Sequence, residues 1–210
     1  MMKLLFITMI LMFSWTINYG QQSFQKINDS LEVLFERIAN KDTLIKSNTK
    51  YYECSEDLSG QLEFYYQAEK LKLITHIYNQ GFRNETFVEH YFIKNDTLRL
   101  KTLISNEEHS NTKYTESSQN ISSFSIEKVI EVTEQRMFFD TSQKSTCLER
   151  KHWEKYSDWD QEYFNKLPFT AADCVEDVED IRYKYRLIRK AEKKLINYSN
   201  RKKRCIFYIW

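Results

Sequence analysis

The chain has 210 residues, of which 41% are hydrophobic, 15% aromatic and 29% charged, and its formal net charge at pH 7 is +1. This length and apolar content suit one globular domain with a sizeable core, and they exclude a chain that is disordered throughout. Three glycines and one proline exclude collagen-like and proline-rich architectures, and they also argue against tight hairpin turns of the primed types.

The first twenty residues have the pattern of a secretory signal peptide. A charged start at Lys3 precedes an apolar run over residues 4–15, and the chain then turns polar up to the small residue Gly20. The run is shorter than the ~20 residues that a helix needs to span a bilayer. We therefore predict a signal peptide at residues 1–20 and a mature chain without a transmembrane segment. An uncleaved peripheral anchor is the alternative, because Asn18 breaks the usual small-residue pattern before the cleavage site.

The leader predicts export, with the mature protein in the periplasm, associated with the outer envelope, or secreted.

The first element expected after the leader is a helix, because apolar residues recur at helical spacing from Ile27 to Ile38. Asp29, with Glu32 three residues later, is placed to cap its start. The polar residues 40–42 should end it.

Strands dominate the middle of the chain. Aromatic strands, short polar turns and return strands with basic residues follow one another in three units, and each unit predicts a hairpin. The predicted strand pairs are 61–67 with 71–78, 86–93 with 97–103, and 124–132 with 135–139, the last extending through 146–153. Together these hairpins predict a meander sheet, because a single hairpin is only marginally stable.

A polar segment, residues 105–123, separates the second and third units. Its large apolar side chains are Tyr114 and Ile121. Connections of this length are usually either functional or disordered. We therefore predict a long loop that is either disordered or makes contacts with a partner, in which case Tyr114 is its candidate binding residue.

The C-terminal region predicts a long helix over about residues 171–196, followed by an aromatic tail. Thr170 and Asp173 are spaced to cap its first turn. Asp180 and Lys184 are spaced for an ion pair across one helical turn. Acidic residues crowd the first turns and basic residues the last, which is the order that the helix dipole favours.

Charge is divided unevenly along the chain. Residues 182–204 hold 11 basic side chains and one acidic one, whereas residues 21–181 hold 19 basic and 29 acidic side chains. We expect the basic segment to bind an anionic envelope surface, an acidic glycan or an acidic protein partner, and we expect no nucleic acid outside the cytoplasm. Folding of this segment onto the acidic remainder of the chain is the alternative. The candidate binding residues here are Arg186, Arg189, Lys190, Lys193, Lys194, Arg201, Lys202, Lys203 and Arg204.

Four cysteines in a chain expected to be exported permit two disulfides, with buried free thiols as the alternative. They are Cys54, Cys147, Cys174 and Cys205. A bond between Cys174 and Cys205 is disfavoured, because a helix between them rises roughly 33 Å and the remaining residues barely reach back. Their irregular spacing gives no support to zinc binding or thioredoxin-like chemistry.

We predict no metal site and no cofactor. The histidines are scattered without the spacing of metal ligands. His76 shares a predicted strand face with Ile74 and Tyr78, as an ordinary histidine within a sheet does.

One weak indication of an enzyme lies near Trp159. Asp158 and Asp160 flank this ring, and Glu162 is close in sequence. Paired carboxylates carry out glycosidic hydrolysis, so a glycan-acting hydrolase is an alternative function. Common acidic residues of an exposed loop are the competing interpretation.

The aromatic hairpin units resemble a group of exported bacterial proteins. The resemblance rests on residues 64–74 and 91–101 and on the run Arg136-Met137-Phe138-Phe139, and it covers residues 51–153. It implies a bent antiparallel sheet with flanking helices and no assigned activity. The long basic C-terminal helix is not part of this pattern.

We therefore predict an α+β protein with an antiparallel meander sheet of about six to eight strands, an N-terminal helix and a long C-terminal helix. The sheet domain should occupy residues 21–170, and the basic helix with its aromatic tail residues 171–210. The expected function is that of an exported, non-enzymatic envelope or secreted binding protein. The alternatives are the hydrolase and an inhibitor of a secreted enzyme that presents the polar loop.

Overall fold

The computed structural model describes residues 24–55, 58–80, 86–116, 122–139, 145–194 and 205–206. The predicted signal peptide lies outside these residues, as do Arg201, Lys202, Lys203 and Arg204. The chain divides into two compact units, Met1–Ile45 and Lys46–Trp210. Of the helices described, none combines the length and the apolar character needed to cross a membrane.

Within the first unit, residues 24–39 form helix α1. Leu31 and Leu34 of its apolar stripe are buried. The predicted end of the helix is confirmed: Lys41 has a φ of 53°, and the Asp42 N–H donates to the Arg37 carbonyl at 3.0 Å. These are features of a Schellman-type C-cap, which satisfies carbonyls that the helix end would leave unpaired.

The predicted start of α1 is wrong. Asp29 lies inside the helix, where its carboxylate accepts a hydrogen bond of 2.7 Å from the Gln25 side chain. The reason is visible in the periodicity, since Phe24 precedes Ile27 by three residues and extends the apolar stripe by one turn.

The second unit is built on an eight-stranded sheet in which the strands lie side by side in chain order, as a meander. The pairs from β2 to β8 are antiparallel. This confirms the predicted antiparallel meander and the α+β class. The strands are β1 (Ile45–Ser55), β2 (Leu58–Gln67), β3 (Lys70–Gln80), β4 (Thr86–Lys94), β5 (Thr97–Glu116), β6 (Ser122–Phe139), β7 (Ser145–Lys155) and β8 (Thr170–Ala172).

Two helices belong to this unit. Helix α2 (Gln161–Lys166) follows a 3-10 turn after β7, and helix α3 (Val178–Lys194) follows β8. Ile181, Ile188 and Ala191 of α3 join the hydrophobic core formed by one face of the sheet. We call this face the covered face, and the other one the opposite face.

The covered face follows from the strand alternation. Because successive side chains point to opposite sides of a strand, residues in register across strands share a face. One row of the covered face comprises Phe64, Ile74, Tyr91, Lys101, Met137 and Cys147, each opposite the next. The buried residues Leu73, Phe92, Leu100 and Phe138 form the matching row of the opposite face.

The expectation that primed turns are absent is wrong. Gln67 pairs with Lys70, and the two residues between them, Ala68 and Glu69, have φ values of 48° and 61°. Asn95 and Asp96 close the hairpin of β4 and β5 in the same way, with φ values of 54° and 57°. These two-residue turns match the right-handed twist of the strands, which outweighs the scarcity of glycine.

The third predicted hairpin is also wrong, because residues 124–132 and 135–139 belong to one strand. β6 runs unbroken through Glu134, which is buried in the sheet. Residues 129–139 of β6 pair with β7 and not with each other. The sequence offers no glycine or asparagine between the two halves to reverse the chain.

The polar segment 105–123 is not the predicted long loop. β5 continues to Glu116 and pairs with β6 down to Ser122. In the described pairing, β4 ends opposite Asn106 of β5, and β7 ends opposite Val129 of β6. The parts of β5 and β6 beyond these residues therefore form a ribbon of two strands. A two-stranded ribbon lacks the further strands of a central sheet, and this part of β5 is polar apart from Tyr114.

The predicted start of the C-terminal helix at residue 171 is wrong as well. Thr170–Ala172 pairs with β7 as a strand, and α3 begins at Val178. Asp177 caps it, since the Asp177 carboxylate accepts the Glu179 N–H at 2.7 Å. The segment between is joined to β7 by a disulfide from Cys174 to Cys147.

The four cysteines form two disulfides, which join Cys54 to Cys205 and Cys147 to Cys174. Cys174 lies just before α3, and Cys205 lies after it. Both flanks of α3 are therefore tied to the sheet, one at β7 and the other at β1.

Replacing Ala68-Glu69 by Asn-Gly should stabilise the protein. A left-handed residue other than glycine or asparagine costs about 1–2 kcal/mol, so we expect a gain of about 1 kcal/mol and a rise in Tm of roughly 2–4 °C. The ion pair lost between Glu69 and Lys46 is exposed and contributes little. Thermal unfolding followed by circular dichroism measures the shift.

Lys70→Gly is the matched control for this turn, because Lys70 is exposed and adjoins the turn but does not have a positive φ. This variant should lower the Tm. Equal effects of the two changes would show that the left-handed backbone at residues 68–69 carries no strain.

Candidate functional site

The most unusual feature of the second unit is a charged carboxylate in its core. Glu89 of β4 has no exposed surface and lies on the covered face, two residues before Tyr91. The strand register places His76 of β3 directly opposite it. Because burying a carboxylate costs several kcal/mol unless it is paired and hydrogen-bonded, Glu89 must be held by its surroundings.

Five donors converge on the Glu89 carboxylate. Oε2 accepts from His76 Nδ1 at 2.9 Å and from the Tyr91 hydroxyl at 2.9 Å. Oε1 accepts from Lys184 Nζ at 2.7 Å and faces Lys101 Nζ at 3.0 Å, with the Tyr78 hydroxyl at 3.4 Å. Three neighbouring strands and α3 thus meet at one side chain. We call these residues, with Tyr52 and Glu176 described below, the Glu89 network.

The carboxylate is ionised. Burial opposes its charge, but the hydrogen bond from His76 and the charges of Lys101 and Lys184 outweigh burial and hold the pKa of Glu89 well below its usual range. Burial has the reverse effect on a base, and it lowers the pKa of His76. His76 is therefore neutral at pH 7, when its Nδ1 donates to Glu89.

With Nδ1 carrying the proton, Nε2 of His76 is an acceptor. The Tyr52 hydroxyl lies 2.8 Å from Nε2 and donates to it, which gives a buried tyrosine–histidine–glutamate relay. Gly60 makes room for Tyr52, since a Cβ at residue 60 would lie 2.8 Å from the Tyr52 hydroxyl and 2.5 Å from the Ile77 carbonyl oxygen. Burial raises the pKa of Tyr52, so its hydroxyl keeps its proton.

A second carboxylate balances the second lysine. Glu176, in the segment before α3, pairs with Lys101. The same segment is clamped by Gln135, whose amide donates to the Asp173 carbonyl and accepts from the Val175 N–H, each at 3.0 Å. With the neighbouring disulfide at Cys174, these bonds fix where Glu176 enters the core.

Lys184 does not make the predicted pair with Asp180. Its ammonium turns inward to Glu89 and lies 4.5 Å from the centre of the Tyr78 ring. Burial lowers the pKa of Lys184, and the negative charge of Glu89 partly offsets this effect. The network then holds two lysines, two carboxylates and a neutral histidine, so its charges cancel.

This arrangement is a closed structural network and not a reaction site. Every polar group described above has a partner inside the protein, and His76, Glu89 and Lys101 are no more than 1% exposed. Among the described residues, no group of three or more metal-ligating side chains is arranged to hold an ion. The network therefore positions α3 on the sheet and offers no open coordination site or exposed nucleophile.

A second ionic cluster lies on the opposite face. Glu134 accepts from Arg136 Nε and from Arg150 Nε, each at 2.7 Å. Arg150 also donates to the Asn165 carbonyl at 2.6 Å and lies 4.7 Å from the centre of the Phe164 ring. These contacts attach α2 to the sheet.

His90, next to Glu89 in the sequence, points to the opposite face and contacts the Thr75 hydroxyl at 3.1 Å. Burial lowers its pKa to about 4. Neutral His90 therefore favours the folded state above pH 6.5, and this stability is lost as the pH falls from 6.5 towards 4.

Four of the predicted basic residues come together on α3. Arg186, Lys190, Lys193 and Lys194 are exposed, and Lys190 is three or four residues from each of the others, so they lie along one side of the helix. Arg189 is half-buried and pairs with Glu192 at 2.7 Å.

Tyr114, the candidate from the polar segment, is not part of this group. Its backbone lies in β5, opposite Phe124. The predicted residues 201–204 are outside the described part of the chain.

The acidic residues near Trp159 have local structural roles. Asp160 caps α2 by accepting the Glu162 and Tyr163 N–H groups at 2.8 and 3.2 Å. Glu162 pairs with Lys166 at 2.6 Å. Asp158 accepts a hydrogen bond of 2.9 Å from the Ser157 hydroxyl. Each of the three carboxylates thus has a local partner, and the hydrolase stays a prediction.

Sequence reasoning missed both ionic clusters. The available signal was a charged residue two positions from an aromatic one within a strand, as in Glu89 and Tyr91 or Arg136 and Phe138. Alternation then puts the charge on an apolar face, where it needs a partner.

No protein-family model matches the chain, and no curated protein or solved structure matches it. Functional inference therefore rests on the chain's own residues.

Glu89→Gln should destabilise the protein by about 3 kcal/mol, because breaking a buried pair leaves Lys184 without its carboxylate. Lys184→Met should cost less, since the other four donors to Glu89 remain. The double variant should show a coupling of about 1–3 kcal/mol. Urea denaturation of the four proteins completes the cycle.

Lys193→Met on the exposed side of α3 is the control and should change stability by no more than about 0.5 kcal/mol. Strict additivity of the Glu89 and Lys184 substitutions would mean that this ion pair does not hold α3.

Gly60→Ala should destabilise the protein by about 1–3 kcal/mol, because the added methyl meets the Tyr52 hydroxyl and the Ile77 carbonyl. Ser59→Ala, one residue earlier in β2, is the control and should be nearly neutral. Denaturation curves of both variants provide the measurement, and equal stability would show that the space around Gly60 is adaptable.

Proposed function

We propose that this protein is an exported, non-enzymatic binding protein that presents the basic side of α3 to the anionic surface of the cell envelope. The observation that carries the proposal is the exposed row of Arg186, Lys190, Lys193 and Lys194 on a helix whose other side is fixed to the sheet.

The row is compact and rigidly supported. At a rise of 1.5 Å per residue, residues 186–194 span about 12 Å of the helix axis. Ile188 and Ala191 are buried beneath it, and Lys184 is anchored by Glu89. A charged surface that is ordered before binding loses little entropy when a partner arrives.

Charge changes sign along α3. Glu179 and Asp180 stand at its first turn, and basic side chains are exposed at its last two turns. An anionic surface would therefore be approached by the C-terminal half of the helix. Near an anionic membrane each basic residue contributes about 1 kcal/mol, and salt weakens this contribution.

Export is part of the proposal. It is predicted by the first twenty residues, and two disulfides are compatible with an oxidising compartment. The resemblance to exported bacterial proteins remains a prediction of the same kind. The hydrolase and the enzyme inhibitor have no specific observation in their favour.

The test measures binding of the purified protein to vesicles with and without anionic lipid over a series of salt concentrations. A variant with four basic residues of α3 changed to glutamine should bind up to about 1000-fold more weakly at low salt, since each residue contributes about 1 kcal/mol. The substitutions are Arg186→Gln, Lys190→Gln, Lys193→Gln and Lys194→Gln.

A control with the same net charge removes four exposed lysines elsewhere and should bind almost as well as the original protein. Its substitutions are Lys41→Gln, Lys70→Gln, Lys94→Gln and Lys128→Gln. Equal loss of binding in both variants would mean that the overall charge of the protein, and not this surface, determines binding. Binding to an acidic polysaccharide but not to vesicles would move the partner class to glycans.

A further inference from the structure

We propose that α3 is a pH-sensitive latch, which opens from the sheet when His76 beneath it takes up a proton, while the strands remain folded. The inference concerns how α3 is held and does not depend on what its exposed side binds.

Both ring nitrogens of His76 are already engaged by buried partners. Nδ1 donates to Glu89 at 2.9 Å, and Nε2 accepts from the Tyr52 hydroxyl at 2.8 Å. A second proton, on Nε2, would turn this nitrogen into a donor, so the Tyr52 hydroxyl would have to accept from it and direct its own O–H to another acceptor. Tyr52 is packed tightly against Gly60, which limits its movement.

The charge balance gives the same result. The charged and titratable groups that face His76 come from every layer around it, and in the closed state their charges cancel. They are Tyr52 of β1, Tyr78 of β3, Glu89 and Tyr91 of β4, Lys101 of β5, Glu176 of the segment before α3, and Lys184 of α3. A protonated His76 would add an uncompensated positive charge next to two ammonium groups in a medium that screens poorly.

Release of Lys184 is the route that relieves this charge with the least disruption. Lys101 belongs to the central strand β5, and its side chain is 1% exposed, so it cannot leave without breaking the sheet. Lys184 has 18% of its side chain exposed and sits on a helix whose described contacts with the sheet are made by side chains. The opening therefore occurs between α3 and the strands.

The disulfides limit how far α3 moves. Cys174 before the helix remains bonded to Cys147 of β7, and Cys205 after it remains bonded to Cys54 of β1. An opened α3 stays attached to the sheet at both flanks, which lowers the entropy cost of reclosure.

The direction in which pH changes the opening of α3 follows from the two states of His76. Burial lowers the pKa of His76 in the closed state, whereas in an opened, hydrated state it returns to about 6.5. The closed state is thus fully favoured above pH 6.5, and opening becomes easier as the pH falls below it. For one proton taken up on opening, the equilibrium rises by up to about tenfold per pH unit. Glu89 adds to the effect only below its ordinary pKa of 4.5.

Hydrogen exchange read by mass spectrometry tests the latch on the full mature protein between pH 7.5 and 4.5. After correction for intrinsic rates, protection of α3 amides should fall by up to about tenfold per pH unit below 6.5, while β3–β5 stay protected. His76→Gln, which removes the titrating group, should make α3 protection nearly independent of pH over this range.

His90→Gln is the matched control, because His90 is the neighbouring histidine of the sheet, half-buried, but points to the opposite face. It should alter the pH dependence of global stability and leave that of α3 opening in place. The proposal is overturned if α3 and the central strands lose protection together, or if His76→Gln retains the pH dependence of α3. Should His76→Gln fail to fold, the comparison of α3 with β3–β5 in the unaltered protein decides the question.

Discussion

The ionised carboxylate of Glu89 is the constraint on which the second unit depends. A charge with no exposed surface is tolerated only when it is paired and hydrogen-bonded, and the partners of Glu89 belong to β3, β4, β5 and α3. The register of β4 against β3, the register against β5 and the position of α3 are therefore coupled through one side chain. A shift of β4 by a single residue would turn Glu89 to the opposite face and separate it from all of them.

The two faces of the sheet solve the same problem differently. On the covered face, two lysines on flexible stems reach Glu89 from a strand and a helix. On the opposite face, two arginines donate hydrogen bonds to Glu134. Their planar guanidinium groups also lie against aromatic rings, as that of Arg150 does over Phe164. Lys184 lies on α3 itself, so its pair with Glu89 holds the helix on the covered face in addition to hydrophobic burial.

Local patterns in the sequence were enough for the early hairpins, the meander and the apolar stripe of α3. They failed where distant residues decide. Thr170 and Asp173 have the spacing of a helix cap, but pairing with β7 makes Thr170–Ala172 a strand. In β4, Glu89 and His90 are adjacent, so both faces carry a polar residue and alternation does not say which one is buried. The closest partner of Glu89, Lys184, is 95 residues away, and no local rule connects them.

The composition of the Glu89 network bears on what α3 is for. Buried ion pairs are often no more stabilising than well-packed apolar residues of similar volume. Apolar packing alone, such as that of Ile181 and Ile188 against the sheet, holds a helix in a way that does not depend on a titrating group. Lys184 and Glu89 instead make the attachment of α3 depend on the protonation of His76, which contacts the same carboxylate. The helix that carries the exposed basic row is thus the element whose position is tied to a titrating group, so attachment and exposure are coupled within a single α-helix.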